Sequence, residues 1–187
     1  VSDAPIATGT TNTTPNSLQV GTTDRLWKPW KISEEGITFI KEWEKFSPKM
    51  YDHDGAAAGN ATIGYGYLVH TGPINGSASE APFVAGISKE RAIELLKISL
   101  TESEKLINKK VVVPLYQHEY DALVDFIYNL RNHGIPLLNL VNTGSYSDIT
   151  KKLKEYNKAQ GKPIQGLTNR RNSEANLFDN GNYDASH

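Results

Sequence analysis

Residues 44–55 read Glu44-Lys-Phe-Ser-Pro-Lys-Met-Tyr51-Asp52-His53-Asp54-Gly55, and residues 61–66 read Ala61-Thr62-Ile63-Gly64-Tyr65-Gly66. An amphipathic run leads into the first stretch. Ile37, Phe39, Ile40, Trp43 and Phe46 recur at helical spacing behind Ser33, a good N-cap. Glu34 and Glu35 suit the positive end of that helix. Pro48 lies beyond it. Tyr51, Thr62, Ile63, Tyr65, Tyr67 and Leu68 then favour extended chain, and Gly55, Gly59, Gly64 and Gly66 break it into turns. The pattern predicts one helix followed by a short, irregular antiparallel sheet. It puts Glu44 at the end of the helix, Asp52 and Asp54 in a turn, and Thr62 in a strand.

Outward from there the chain turns helical. His70 to Gly86 reads as a loop rich in Gly, Ser and Pro. Ser88 caps a run holding Ala92, Leu95, Leu96, Leu100 and Leu106, and Pro114 precedes a second with Tyr120, Leu123, Val124, Phe126 and Ile127. A short piece spans Leu137 to Val141. Ser147 caps another run through Ile149, Leu153 and Tyr156, stopped by Gly161 and Pro163. The last covers about Thr168 to Phe178. No internal repeat is visible. The fold class is α+β, mainly α: one helix, a small antiparallel sheet, then a helical bundle.

Residues 1–30 read as a polar linker or N-terminal extension, and residues 31–187 as the folded domain. Thr8, Thr10, Thr11, Thr13 and Thr14 sit among Gly, Asn, Pro and Ser, too polar to offset the ordering entropy. The exception is Leu26-Trp27-Lys28-Pro29-Trp30, whose tryptophans are expected to pack onto the domain behind them. The first residue is Val1 rather than Met, which suits a processed protein or a domain of a longer chain.

Composition narrows the function. With 38% hydrophobic residues a packed core is within reach, which excludes a wholly disordered chain. Twenty basic against 21 acidic residues, a net charge of -1, argue against a nucleic-acid binder. Cysteine is absent, which excludes a disulfide frame, a thiolate zinc site and a cysteine nucleophile. No apolar run approaches the ~18 residues of a membrane span, and no signal peptide is visible. His53 between Asp52 and Asp54 invites a metal, but adjacent residues on one turn seldom converge on one ion, so no metal is expected. No nucleotide fingerprint accompanies Gly64-Tyr65-Gly66, and no other cofactor is indicated.

The acidic residues point to glycoside chemistry. Breaking a glycosidic bond needs a proton donor for the leaving oxygen and a second carboxylate that activates water or stabilises positive charge on the sugar. Glu44, at the negative end of a helix and beside Trp43 and Phe46, suits a proton donor. Read from composition alone, it is a solvated surface residue, as most glutamates are.

The segment resembles the active-site region of the phage-type lysozymes and endolysins, glycoside hydrolase family 24. The matching residues are Glu44, Tyr51, Asp52 or Asp54, and Gly59-Asn60-Ala61-Thr62-Ile63-Gly64-Tyr65-Gly66. Three later segments are similar in order: Gln117 to Asn129, the Tyr156-Asn157-Lys158-Ala159 stretch, and Gly166-Leu167-x-x-Arg170-Arg171-x-x-Glu174. Departures are local. His53 stands where the family's spacing puts its Asp, the turn from Asp54 to Thr62 is longer, Tyr67 replaces a frequent His, and Arg131 replaces a usual Gly.

The resemblance implies a lysozyme-like fold with a cleft between the sheet and the bundle, and a muramidase that cuts the β-1,4 bond between N-acetylmuramic acid and N-acetylglucosamine. Glu44 would be the acid, Asp54 the water-activating carboxylate with Asp52 as the alternative, and Thr62 the hydroxyl that holds the water. Asp54 is favoured because an insertion among Gly55, Ala56, Ala57 and Ala58 absorbs the extra length most simply. Tyr51, Tyr65 and Asn129 would contact substrate. This division of labour favours inversion, which needs carboxylates ~6.5–9.5 Å apart. Peptidoglycan would be the partner, reached in the periplasm or outside the cell through a phage pore or a secretion system. A monomer is expected. A secreted toxin would imply a cognate inhibitor protein. The rival readings are a lytic transglycosylase and a non-catalytic wall-binding module on a lysozyme scaffold. Arg170 and Arg171 are expected to form structural ion pairs.

Overall fold

The helix predicted behind Ser33 is α1, Glu34–Glu44. Ser33 caps it, its Oγ accepting the Gly36 amide at 3.0 Å. The Ser33 hydroxyl in turn donates to the buried carboxylate of Asp121. At the other end Lys45 turns left-handed at φ 58, with its N–H on the Lys41 carbonyl at 3.0 Å. That residue ends the helix and aims the chain into the first strand.

A computed structural model describes residues 24–52 and 59–187. The chain divides into two compact units, Lys41–Thr101 and Val1–Ile40 with Glu102–His187. The smaller unit holds an antiparallel sheet in the order β1-β2-β3: β1 Ser47–Tyr51, β2 Ala61–Gly64 and β3 Tyr67–His70. Tyr51 pairs with Thr62, and Thr62 with Leu68. Ile63, Phe83 and Leu95 form its buried centre, with Met50, Tyr67, Val69 and Ile87 packed around them. Leu95 comes from α2, Lys89–Lys110. A larger residue at Gly64 would be strained. The φ there is +69, and an added Cβ would lie 3.2 Å from the Cβ of Ala92 and 3.3 Å from Ile87 Cδ1.

The stretch from His70 to Gly86 is more ordered than its composition suggests. It contains a 3-10 helix, Ala78–Phe83, built around a buried Glu80. One Glu80 oxygen accepts the Asn75 amide and the His70 Nε2, both at 2.7 Å; the other accepts the Gly76 amide at 2.8 Å. A carboxylate has enough lone pairs to gather a whole turn this way.

The ion pair sets a pH window. The bond to Glu80, then the Thr71 carbonyl, hold the His70 imidazole above its ordinary 6.5, so its contribution is complete below about 6.5 and fades as pH rises through the higher folded value. The bond from His70, with the loop amides, holds Glu80 below its ordinary 4.5, so its contribution is complete above about 4.5 and fades as pH falls through the lower folded value. The stability lost in His70→Gln is therefore expected to be largest near about pH 5.5 and to shrink on both sides. Melting temperatures of the two proteins across pH check this; a difference independent of pH would sink it.

The larger unit is helical. It holds α3 Gln117–Leu130, α4 Ile135–Val141, α5 Tyr146–Lys154 and α6 Gln165–Asn180, with the C-terminal part of α2. α3 is its axis, buried continuously from Glu119 to Tyr128, with α6 packed along it. α6 begins three residues before the expected Thr168. The segment between α5 and α6 holds a feature missed in the sequence: a small hairpin of β4 Lys158–Ala159 and β5 Lys162–Pro163. Gln160 at φ 52 and Gly161 at φ 80 supply its two-residue turn, the geometry such hairpins favour.

The described residues before 31 pack on the larger unit. Leu26 exchanges backbone bonds with Leu115 at 2.9 Å each way. Lys28 Nζ donates to the carbonyls of Asn108 and Val111, at the end of α2, at 2.8 and 2.9 Å. Trp30 is buried, its ring 5.6 Å from that of Tyr120. Trp27 is half-buried. The rest of the polar run, residues 1–23, lies outside the described residues.

Candidate active site

Glu44 is the last residue of α1 and half-buried. The left-handed Lys45 follows at once and turns the chain from the helix towards the strand. Phe46 next to it meets the ring of Tyr65 at 5.6 Å. Tyr65 is 6% exposed, and burial, then the charge of Glu42, push its phenol above the usual range. It therefore serves more as a wall than as an open platform.

Thr62 lies on β2 opposite Tyr51. Its hydroxyl donates to the Asn60 carbonyl at 2.7 Å. That bond occupies the only proton Thr62 can give and leaves its oxygen to accept one. A water bound there would donate to Thr62 and keep its own lone pairs for attack. Asp52 is committed differently. Its Oδ2 accepts the Ile74 amide at 2.8 Å, fastening the turn that follows β3. Asp54 falls within residues 53–58, outside the described residues, as does His53.

Glu44, Tyr51, Asp52, Thr62 and Tyr65 all belong to the smaller unit; Asn129 belongs to the larger. Asn129 sits in the last turn of α3, and its Oδ1 accepts from Arg171 Nη2 at 2.9 Å. Among the described residues no group of three or more His, Asp or Glu side chains could hold a metal ion.

Behind Asn129 lies a buried charge network. Arg170 grips Asp125 with two bonds, at 3.0 and 2.7 Å. Arg171 meets both oxygens of Glu174 at 2.7 Å. Burial pushes Asp125 up, but the Arg170 charge and its bonds outweigh that and hold the carboxyl below the ordinary range. Burial acts on Glu174 as well; with the Asp125 charge beside it, Glu174 stands well above the ordinary range despite Arg171. Arg170 and Arg171 are thus the structural ion pairs their setting suggested. Asp125 was missed; the signal was an acidic residue inside the apolar face of Leu123 to Ile127.

The phage lysozyme family model matches residues 41–174. The chain belongs to the phage lysozyme family. The endolysin of Acyrthosiphon pisum secondary endosymbiont phage 1 is 33% identical over 156 residues, 79% of this chain and 97% of that protein. Among solved structures, the endolysin from Escherichia coli O157:H7 phage FAHEc1 aligns with a TM-score of 0.70 and 25% identity, over 85% of this chain and 99% of its own. The muramidase domain of SpmX from Asticaccaulis excentricus aligns with a TM-score of 0.66 and 26% identity, over 81% and 99%. This phage lysozyme has the mainly helical lysozyme fold with a small antiparallel sheet, and it is a glycoside hydrolase.

Proposed function

We propose that this phage lysozyme hydrolyses the β-1,4 bond between N-acetylmuramic acid and N-acetylglucosamine, with Glu44 as acid and Asp54 and Thr62 handling the water. The enzyme cleaves peptidoglycan. Glu44 gives its proton to the leaving oxygen as positive charge grows on the sugar. Asp54 takes a proton from the water, and its charge steadies the oxocarbenium-like state. The observation that carries this reading is the Thr62 hydroxyl, which spends its proton on the Asn60 carbonyl and presents an acceptor to water. The commitment of Asp52 to the Ile74 amide supports Asp54 as the catalytic aspartate. Tyr51, Tyr65 and Asn129 are the proposed sugar contacts, Tyr51 being the more open of the two tyrosines.

The enzyme acts on the bacterial cell wall as a monomer, reached through a phage pore or by secretion. Delivered as a toxin, it is matched by an inhibitor protein in the producing cell. No helix among the described residues is long and apolar enough to cross a membrane.

Digestion of purified peptidoglycan, read by mass spectrometry, tests the mechanism. Fragments with reducing muramic acid ends are expected. Asp54→Asn should lower the rate about 10²–10³-fold, and Asp52→Asn less than about tenfold. Anhydro ends would make the enzyme a transglycosylase. Binding without soluble fragments would make it a wall-binding module. A severe loss in Asp52→Asn alone would move the catalytic role to Asp52.

A further inference from the structure

Arg131 stands at φ 54 and ψ -135, directly after α3. That conformation lies in the positive-φ half of backbone space and outside the left-handed helical basin. Glycine would adopt it without strain, yet the chain places a large cation there. The guanidinium lies 4.4 Å from the centre of the buried Tyr128 ring. Packing on an aromatic face holds a guanidinium in place while leaving its N–H groups to donate.

The same side chain lines a cavity of about 330 Å³ with Lys105 and Lys109 from α2. Leu106 and Ile127 add apolar lining, and Asn132 an amide. The opposing charge there is Glu102, 3.4 Å from Lys105 and, like it, largely exposed. Three cations therefore share one concave surface with a single carboxylate. Among the described residues Arg131 and Lys109 form no ion pair.

We propose that this cavity is an oxyanion site, taking a phosphate or carboxylate group on the fork of Arg131 with the ammonium groups of Lys105 and Lys109 beside it. Such a group is planar or tetrahedral, bears two or more acceptor oxygens, and is what a stacked guanidinium recognises best. None of the cavity's lining residues is one of the proposed catalytic residues. The anionic groups of the wall polymer are its natural source, and that source alone rests on the peptidoglycan reading above.

Inorganic phosphate is the probe. Titrated into ¹⁵N-labelled protein, it is expected to give saturable shifts at the amides of Lys109, Arg131 and Asn132. Arg131→Gly should weaken binding at least about tenfold, the loss of one charge-assisted fork. It should also melt at higher temperature than wild type, because the strain at that position is relieved. Glu102→Gln should tighten binding several-fold by removing the competing carboxylate. Non-saturating shifts, or equal affinity in wild type and Arg131→Gly, would overturn the site.

A second measurement finds the source. Purified walls bearing a phosphodiester polymer are compared with walls chemically stripped of it. Slower cutting by Arg131→Gly on the unstripped walls only assigns the phosphodiester. Slower cutting on both assigns the carboxylates of the peptide stems. Unchanged cutting on both removes the wall as the source. Should wild type cut neither wall, the catalytic reading fails, while the phosphate titration still decides the site.

Discussion

Glu44→Gln is expected to leave a folded protein that scarcely cuts peptidoglycan. The substitution keeps the shape and the hydrogen-bonding oxygen and removes only the proton that can be given to the leaving group. General acid catalysis contributes typically 10²–10⁴-fold, so a rate loss of roughly 10³-fold is expected, about 4 kcal/mol of transition-state stabilisation. The fold should not share that loss. Glu44 ends α1, where the helix dipole disfavours a carboxylate, so the neutral amide should change stability by less than about 1 kcal/mol. Binding to purified walls should also persist. Release of soluble fragments and thermal unfolding, measured on one preparation, separate the two effects. A rate within tenfold of wild type would remove Glu44 from the acid role.

The helix that carries Glu44 was legible because two local signals agree: Ser33 offers a cap, and the apolar residues from Ile37 to Trp43 keep one period. The sheet was legible for a similar reason, its strands being rich in Tyr, Thr and Ile between glycines. Order that depends on the bonds of one polar side chain was not legible. Nothing local distinguishes Glu80 from a solvated glutamate, yet its two oxygens organise the turn from Asn75 to Phe83. The hairpin at Lys158–Pro163 escaped notice because its strands are two residues long, too short to show a period. Its turn carries Gly161, which read equally well as a helix stop.

The site followed the same division. Glu44, Thr62 and the tyrosines were named from residue type and spacing together with the resemblance. The task of Asp52 was not, because its acceptor bond to Ile74 joins residues that only the fold brings together. Arg131 was seen as a departure from a usual glycine. That it holds a positive φ is a property of the helix end, since the chain must leave α3 there whatever residue occupies the position.

The largest stability loss is expected at Arg171. The side chain is fully buried in α6, its guanidinium 5.1 Å from the centre of the Phe126 ring. It meets both oxygens of Glu174 and also holds Asn129 Oδ1. Arg171→Met keeps much of the volume and removes every donor. Glu174 then keeps the Asp125 carboxyl beside it, but its remaining cation, Arg170, has Nε 3.8 Å away and is engaged with Asp125. Leaving one partner of a buried ion pair alone costs about 3–5 kcal/mol, and for a chain of this size that lowers the melting temperature by on the order of 10 °C. The cause is a buried carboxyl left beside Asp125 without its nearest cation, so a second substitution should reverse part of it. Arg171→Met with Glu174→Leu, which removes both partners, is expected to regain about half or more of the loss. Thermal unfolding of wild type, both single variants and the double variant completes the cycle. Additive losses would mean that Arg171 and Glu174 act independently and that the network is only packing. The double variant carries a second readout. Its Asn129 no longer has the Arg171 donor that orients its amide, so peptidoglycan should be cut more slowly even where stability has recovered. That outcome would tie the buried charges to the proposed sugar contact rather than to the fold alone.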